Sequence, residues 1–278
     1  MIINILIKLK DLIELKEFRL RIISSIILLT VFYLFFKIGN PLFVILLSCI
    51  FPMIFIEMIK MSYKKINLSQ FFNIFFLQSI FFIYLISKLN NFNFGFFVDY
   101  DFLFLSSFLI NFCYYKIYKD FITFFFSNFI ILAFFSLIEI LLMSNGLDLF
   151  LYLVLLISAM DVFGYLGGKL LGNIKIVPKI SNGKTVEGTL IGLIFTVTIS
   201  FLIKDLINLD TLSSLSLGFV IGILSFLGDT FESFVKRKTG VKDSGKLIPG
   251  HGGLMDRFDG YMIVLPFFYI FSKFVLIS

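Results

Sequence analysis

The chain has 278 residues, of which 59% are hydrophobic and only 15% are charged. This balance is far from that of a soluble globular domain and excludes a separate soluble domain beside the apolar segments. The formal net charge of +6 suits attraction to anionic lipid headgroups and gives no reason to expect a nucleic-acid partner.

Residues 1–21 mix apolar side chains with charged ones such as Lys8, Asp11 and Arg19. No small-residue cleavage site follows the next apolar run, so the segment does not resemble a removable signal peptide. We expect an amphipathic helix that lies in the membrane interface before the first span.

Nine apolar runs follow, and each is a candidate for a membrane-spanning helix of about 20 residues. The fourth is the weakest, because Asp99 and Asp101 occupy its start. The predicted fold is an all-α polytopic membrane protein with an N-terminal transmembrane region over 22–146 and a C-terminal catalytic one over 147–278. The runs cover residues 22–38, 41–59, 71–87, 99–115, 121–143, 148–170, 188–204, 212–228 and 261–277.

The distribution of Lys and Arg predicts the orientation, because cytoplasmic loops carry an excess of both. With the N-terminus in the cytoplasm, most of the 24 Lys and Arg residues fall on the cytoplasmic side. An odd number of spans places the C-terminus on the opposite side. The two long polar segments 171–187 and 229–260 then share the cytoplasmic face, where a site built from both would meet cytosolic nucleotides.

Segment 229–260 is crowded with charge and glycine, unlike the rest of the chain. Asp229, Glu232, Ser233 and Lys236 follow one another at i, i+3, i+4 and i+7. They therefore share one helix face if the eighth span continues as a helix.

Asp256 and Asp259 are three residues apart at the entry to the last span, which puts two carboxylates on one side of a helix. Carboxylates at a membrane border are costly unless they are paired, hydrated or bound to metal. Mg²⁺ is commonly held by one or two carboxylates plus substrate phosphates, and Lys or Arg neutralises the remaining phosphate charge. The glycines around His251 would let the backbone approach a phosphate closely. The segment therefore predicts a magnesium and phosphate site.

Many residues within 233–259 stand at the fixed positions of a family signature. In that pattern a Ser precedes a Lys-Arg pair, a Lys-Asp pair follows, and His-Gly-Gly leads to Asp-Arg, an apolar residue and Asp. The matching residues are Ser233, Val235, Lys236, Arg237, Lys242, Asp243, Gly245, Ile248, Pro249, His251, Gly252, Gly253, Leu254, Asp256, Arg257, Phe258 and Asp259. The chain thus resembles the phosphatidate cytidylyltransferase family, also called CDP-diacylglycerol synthases.

A second stretch is similar to the same family, whose members carry an Asp in a late span, a glycine-rich exit and the loop Pro-x-Ile-Ser-Pro-x-Lys-Thr-x-Glu-Gly. Asn182 stands where the loop usually has its second Pro, which alters the expected stiffness but keeps the polar groups. The resemblance covers residues 150–278. The matching residues are Asp161, Gly164, Gly167, Gly168, Lys169, Pro178, Ile180, Ser181, Gly183, Lys184, Thr185, Glu187 and Gly188.

The resemblance implies transfer of a cytidylyl group from CTP to phosphatidate, giving CDP-diacylglycerol and pyrophosphate for phospholipid biosynthesis. It implies Mg²⁺, with K⁺ as a candidate second cation, and Asp229, Asp256 and Asp259 as metal ligands. The further catalytic candidates are Lys236, Arg237 and Arg257. The substrate-binding candidates are Ser181, Lys184, Thr185, Glu187, Ser233, Lys242, Asp243, His251, Gly252, Gly253 and Asp161. Asp161 is expected to face the protein interior, because an unpaired charge in a span costs about 2.5 to 3.5 kcal/mol.

Several residues keep more than one interpretation. His251 would contact phosphate or hold the loop by hydrogen bonds, or else transfer protons. Glu232 would support the metal or merely end the helix. Lys238 is typical of a positive-inside anchor, and Glu57, like Glu139, is typical of an interfacial or interhelical charge.

Two other classes of protein compete with this interpretation. A related CTP-dependent transferase or kinase would act on another lipid phosphate or a polyprenol, with a similar nucleotide site. A membrane transporter would also have many spans, but the paired repeats with broken helices that it predicts are not found in this sequence. The expected location is the plasma (inner) membrane of a bacterium, with the active site on the cytoplasmic face and a homodimer as one candidate assembly.

Overall fold

The computed structural model describes residues 40–63, 121–245 and 252–276 and six isolated residues, Thr30, Leu34, Ser79, Phe108, Leu109 and Phe112. The predicted interfacial helix 1–21 lies outside the described residues. So do almost all of the predicted spans 22–38, 71–87 and 99–115, and so does His251.

The described part of the chain is helical, and its one β-bridge joins Lys175 to Thr185. A 3₁₀-helix over Lys204–Ile207 joins the fourth α-helix to the fifth, and a π-helical turn over Ser272–Leu276 follows the last. The α-helices are α1 (Asn40–Tyr63), α2 (Phe121–Leu142), α3 (Gly146–Leu171), α4 (Val186–Leu202), α5 (Thr211–Lys238), α6 (Met255–Phe258) and α7 (Tyr261–Phe271).

Within the described residues, four segments are long and apolar enough to cross a membrane, and α4 is a shorter apolar helix. The predicted spans 41–59, 121–143, 148–170, 188–204, 212–228 and 261–277 fall almost entirely on helices where the structure describes them, so the helical character of these stretches is confirmed. The helix α5 continues past the predicted span 212–228 to Lys238, so the eighth span does extend as a helix into the polar segment. The four segments are Phe124–Leu142, Gly146–Leu171, Thr211–Lys238 and Met255–Val275.

The helices pack in a chain of neighbours, with α3 against α4, α4 against α5, and α7 against both α2 and α5. Aromatic rings fill much of the buried core between them, and Phe126, Phe134 and Phe268 are fully buried. At the contact of α3 with α4, a Cβ on Gly188 would lie 2.6 Å from the carbonyl oxygen of Gly164. The two backbones therefore approach closely only because both helices carry glycine there.

Candidate active site

The last turns of α5 carry a row of polar side chains along one face, which confirms the predicted helical spacing. The Ser233 hydroxyl donates to Asp229 Oδ1 at 3.4 Å. One turn further along, Lys236 Nζ lies 2.5 Å from Glu232 Oε2. Charged groups of both signs thus meet at the end of a membrane-length helix.

Three carboxylates from two elements converge beside this face. One oxygen from each of Asp229, Glu232 and Asp259 lies within 4.8 Å of the other two. Gly228 allows the approach, because a Cβ there would collide with the carbonyl oxygen of Asp259. Glu232 is fully buried, and its Oε1 accepts no hydrogen bond from the described residues. A buried carboxylate oxygen without a partner is costly, and a bound cation would satisfy it.

Asp256 lies next to this cluster but is engaged elsewhere. Its Oδ1 accepts from Lys236 Nζ at 2.7 Å, and its Oδ2 accepts from the backbone N–H of Gly253 at 2.7 Å and of Ser244 at 3.1 Å. Lys236, in turn, lies between Glu232 and Asp256 and is almost completely buried. The predicted phosphate-binding lysine and one predicted metal ligand therefore neutralise each other.

The loop after α5 returns to the site through Gly252 and Gly253. Gly252 has φ +84°, in the left-handed region, and a Cβ on it would collide with the carboxylate of Asp256. These two restrictions explain why the turn requires glycine. Lys242 and Asp243, at the other end of this loop, are exposed.

Residues 172–185 form a short hairpin between α3 and α4. The N–H of Ile176 donates to the carbonyl oxygen of Lys184 at 3.0 Å, and the N–H of Val186 donates to the carbonyl oxygen of Ile174 at 2.9 Å. The Thr185 hydroxyl caps α4 by accepting from the Gly188 N–H at 3.2 Å. The sequence predicts substrate binding for both Thr185 and Ser181. Thr185 here joins the hairpin to the start of α4, whereas Ser181 is half-buried and its predicted role stays a prediction.

Glu187 also serves the hairpin. Its two carboxylate oxygens accept the N–H of Ile174, each at 3.3 Å. The side chain therefore ties the first arm of the hairpin to the first turn of α4.

Lys184 reaches from this hairpin to α5. Its Nζ lies 3.0 Å from Asp229 Oδ2 and donates to Thr230 Oγ1 at 2.7 Å. Burial lowers the pKa of Lys184, an effect that the attraction of Asp229 opposes only in part. A partly desolvated cation therefore stands beside the acidic cluster.

Arg237 makes a second link between the hairpin and α5. Its Nε donates to the carbonyl of Ile180 at 3.0 Å, and its Nη1 donates to the carbonyl of Val241 at 3.1 Å. The predicted catalytic role of Arg237 stays a prediction, but in this structure its guanidinium holds two loops together while remaining exposed to solvent.

Asp161 on α3 points toward the same site. Asp161 is exposed, and it lies close enough to Asp229, Arg257 and Lys184 for its charge to interact with theirs. Arg257 is also exposed, and it directly follows Asp256 in the chain. The two predicted polar segments and Asp161 are therefore brought to one place.

Three side chains at the site were not among the sequence-predicted candidates. Thr230 binds Lys184. Ser244 occupies a variable position of the signature, and its hydroxyl donates to Glu57 Oε2 at 3.3 Å. Glu57 on α1 also accepts the N–H of Met255 at 2.9 Å. The only sequence signal for Glu57 was an isolated acidic residue in an apolar run.

Comparison with known proteins agrees with the signature. The profile described as the cytidylyltransferase family matches residues 19–275. A stretch of 132 residues is 46% identical to the uncharacterized protein YnbB of Escherichia coli (strain K12), covering 47% of this chain and 44% of that protein.

Two proteins named phosphatidate cytidylyltransferase are also similar. That of Haemophilus influenzae is 41% identical over 138 residues, 48% of each chain. That of Staphylococcus haemolyticus is 42% identical over 125 residues, 44% of this chain and 48% of the relative. The chain spans about half the length of the curated relatives it matches.

Proposed function

The chain belongs to the cytidylyltransferase family, and from this premise we propose that it is a phosphatidate cytidylyltransferase. A phosphate oxygen of phosphatidate attacks the α-phosphorus of CTP and forms a new P–O bond. The bond from the α-phosphorus to the bridging oxygen breaks, and pyrophosphate leaves with that electron pair. The products are CDP-diacylglycerol and pyrophosphate.

The proposal rests on one observation: three carboxylates and two cationic side chains meet where the signature segment contacts the hairpin. Asp229, Glu232 and Asp259 supply the negative side, and Lys184 and Arg257 supply the positive side. A site that must bring two phosphate-bearing anions together needs both, the carboxylates for metal and the cations for phosphate oxygens. The Haemophilus and Staphylococcus relatives are named phosphatidate cytidylyltransferase, which supports the choice of substrates.

We propose that Asp229, Glu232 and Asp259 hold Mg²⁺. The donor set fits, because carboxylate oxygens are the ligands that Mg²⁺ prefers, and Glu232 Oε1 has no hydrogen-bond partner within the described part of the chain. When bound, Mg²⁺ would neutralise charge on the CTP phosphates and on the leaving pyrophosphate. Asp256 belonged to the predicted ligand set, but its contacts with Lys236, Ser244 and Gly253 favour a role in holding the loop. K⁺ stays a candidate second cation.

The residues of the site do not have to remove a proton from the nucleophile. A phosphate monoester has a second pKa of about 6, so it arrives largely as the dianion at pH 7. The remaining tasks are alignment and charge neutralisation. We propose that Lys184, Arg257 and the exposed Lys242 contact phosphate oxygens, whereas Lys236 stays paired with Glu232 and Asp256.

We further propose the nine-span topology, with the N-terminus and the active site in the cytoplasm of a bacterial cell. The positive-inside bias of the Lys and Arg residues supports this arrangement. A reporter fused after Ser278 tests it, since cytoplasmic activity of that reporter would require an even number of spans.

Pyrophosphate release by the purified protein tests the activity. We expect turnover with CTP, Mg²⁺ and phosphatidate in mixed micelles, and none when phosphatidate is omitted. A panel of other lipid phosphates and polyprenyl phosphate serves as the comparison. Turnover with one of these but not with phosphatidate would disprove the substrate assignment.

A further inference from the structure

Glu57 lies on α1, far in sequence from the signature, yet its carboxylate touches the signature segment on both sides of its central loop. Before that loop, the Ser244 hydroxyl donates to Oε2 at 3.3 Å. After it, the Met255 N–H donates to the same oxygen at 2.9 Å. One carboxylate oxygen therefore bridges two chain positions that the loop separates.

Two glycines make room for this carboxylate. A Cβ on Gly245 would lie 2.6 Å from Glu57 Oε1, and a Cβ on Gly253 would collide with Oε2. The carboxylate thus lies against the backbone at both ends of the loop. Asp256 holds the same segment from within, through the N–H groups of Ser244 and Gly253.

The helix that carries Glu57 is firmly anchored. Phe51, two turns earlier on α1, packs edge to face on Phe134 of α2 with ring centroids 4.9 Å apart. Phe134 in turn stacks on Phe258 of α6 at 4.6 Å. A row of aromatic rings therefore fixes α1 relative to the segment that Glu57 touches, so its carboxylate can set the position of that segment.

We propose that Glu57 is a positioning residue for the reaction, which acts by holding Ser244 and Met255, and with Met255 the start of α6, the helix that carries the proposed phosphate contact Arg257. This inference rests on the proposed function. Among the described residues, Glu57 is not one of the three carboxylates that converge as a candidate metal site, so its proposed effect passes through Ser244 and Met255.

Three variants at this contact separate positioning from general stability. Glu57→Gln keeps the shape but removes the charge that strengthens both hydrogen bonds. Glu57→Asp keeps the charge, but its side chain is shorter by one methylene group. Ser244→Ala removes one donor. Asp205→Asn, an exposed acid on the 3₁₀-helix at the other end of α4, is the charge-matched control.

In the pyrophosphate assay we expect Glu57→Gln to lower kcat/KM for CTP about ten-fold or more, with part of the loss restored in Glu57→Asp. The Mg²⁺ concentration for half-maximal activity should stay unchanged. Ser244→Ala should lower kcat/KM less when it is added to Glu57→Gln than when it is made in the wild type, because the two changes break the same contact. Wild-type kinetics in Glu57→Gln would overturn the inference, whereas an inactive wild type would instead defeat the proposed function.

Hydrogen exchange tests the contact without any activity. Amides in residues 252–258 should exchange faster in Glu57→Gln than in the wild type, while those of α5 exchange at the same rate. Uniformly faster exchange across all helices, or unchanged exchange at 252–258, would overturn the positioning role.

Discussion

Lys236 Nζ lies 2.7 Å from Asp256 Oδ1, and this ion pair joins the last turns of α5 to the short helix α6. Both side chains are mostly buried, with side-chain exposures of 11% and 8%. Lys236 also faces Glu232, so the cation balances two carboxylates at once. The pair therefore sets the distance between the acidic cluster and the glycine turn.

Lys236→Met should destabilise the protein, because it leaves Asp256 and Glu232 without their cation. Removing one partner of a buried ion pair costs about 3 to 5 kcal/mol. Thermal unfolding in detergent measures the loss. Lys236→Met combined with Asp256→Asn should lose less than the sum of the single changes, and strict additivity would contradict a direct pair.

Asp259→Asn and Glu232→Gln should weaken the binding of Mg²⁺. Each removes one charged ligand from the cluster, so we expect the Mg²⁺ concentration for half-maximal activity to rise about ten-fold or more. A second readout avoids activity altogether. Mg²⁺ should raise the Tm of the wild type by mass action, but raise it less in either variant.

Asp205→Asn serves as the control for this experiment, since Asp205 is exposed and lies just before the start of α5, whereas the cluster lies at the other end of that helix. Its Mg²⁺ dependence should equal that of the wild type. Equal Mg²⁺ responses in Asp259→Asn and the wild type would remove Asp259 from the metal site.

The pattern of residues predicted the helices and the polar segments better than it predicted the contacts. The length of the apolar runs was enough for the helices that the structure describes, because apolar runs in a membrane have few alternatives to a helix. The spacing of Asp229, Glu232 and Lys236 also predicted one shared face, since a helix fixes that geometry locally.

Contacts between distant segments could not be derived in the same way. Lys236 and Asp256 look like a phosphate ligand and a metal ligand in the signature, but tertiary packing pairs them. Glu57 is separated from Ser244 by most of the chain, and no spacing rule links the two. The pattern identifies polar residues, whereas the fold decides which of them neutralise one another.

Lys184 should give the reaction an alkaline limit. Burial lowers the pKa of Lys184, so the side chain loses its proton below the ordinary value of about 10.4. The charge that would attract CTP phosphates is present below the folded-state pKa and is lost as pH rises through it. The same shift makes the free energy of unfolding rise with pH between the folded-state pKa and about 10.4.

The dependence of kcat/KM for CTP on pH measures this limit in the free enzyme. Lys184→Arg stays charged throughout the accessible range, so its alkaline limb should move to higher pH even if its maximum is lower. An alkaline limb at the same pH in both proteins would assign it to another group.

The contact of α3 with α4 should be intolerant of any side chain at Gly188. An added methyl group would meet the carbonyl oxygen of Gly164 at 2.6 Å and the Cα of Gly168 at 2.8 Å, and backbone atoms cannot move aside as a flexible side chain can. Gly188→Ala should therefore cost about 1 to 3 kcal/mol by overpacking. Because the hairpin carrying Lys184 ends at this contact, activity should fall as well.

Gly183→Ala is the matched control, since a Cβ there meets no atom within 4 Å. Thermal unfolding of both variants compares their stabilities, and Gly188→Ala should be the less stable of the two. Equal stability of the two variants would show that the close approach of α3 and α4 does not depend on glycine.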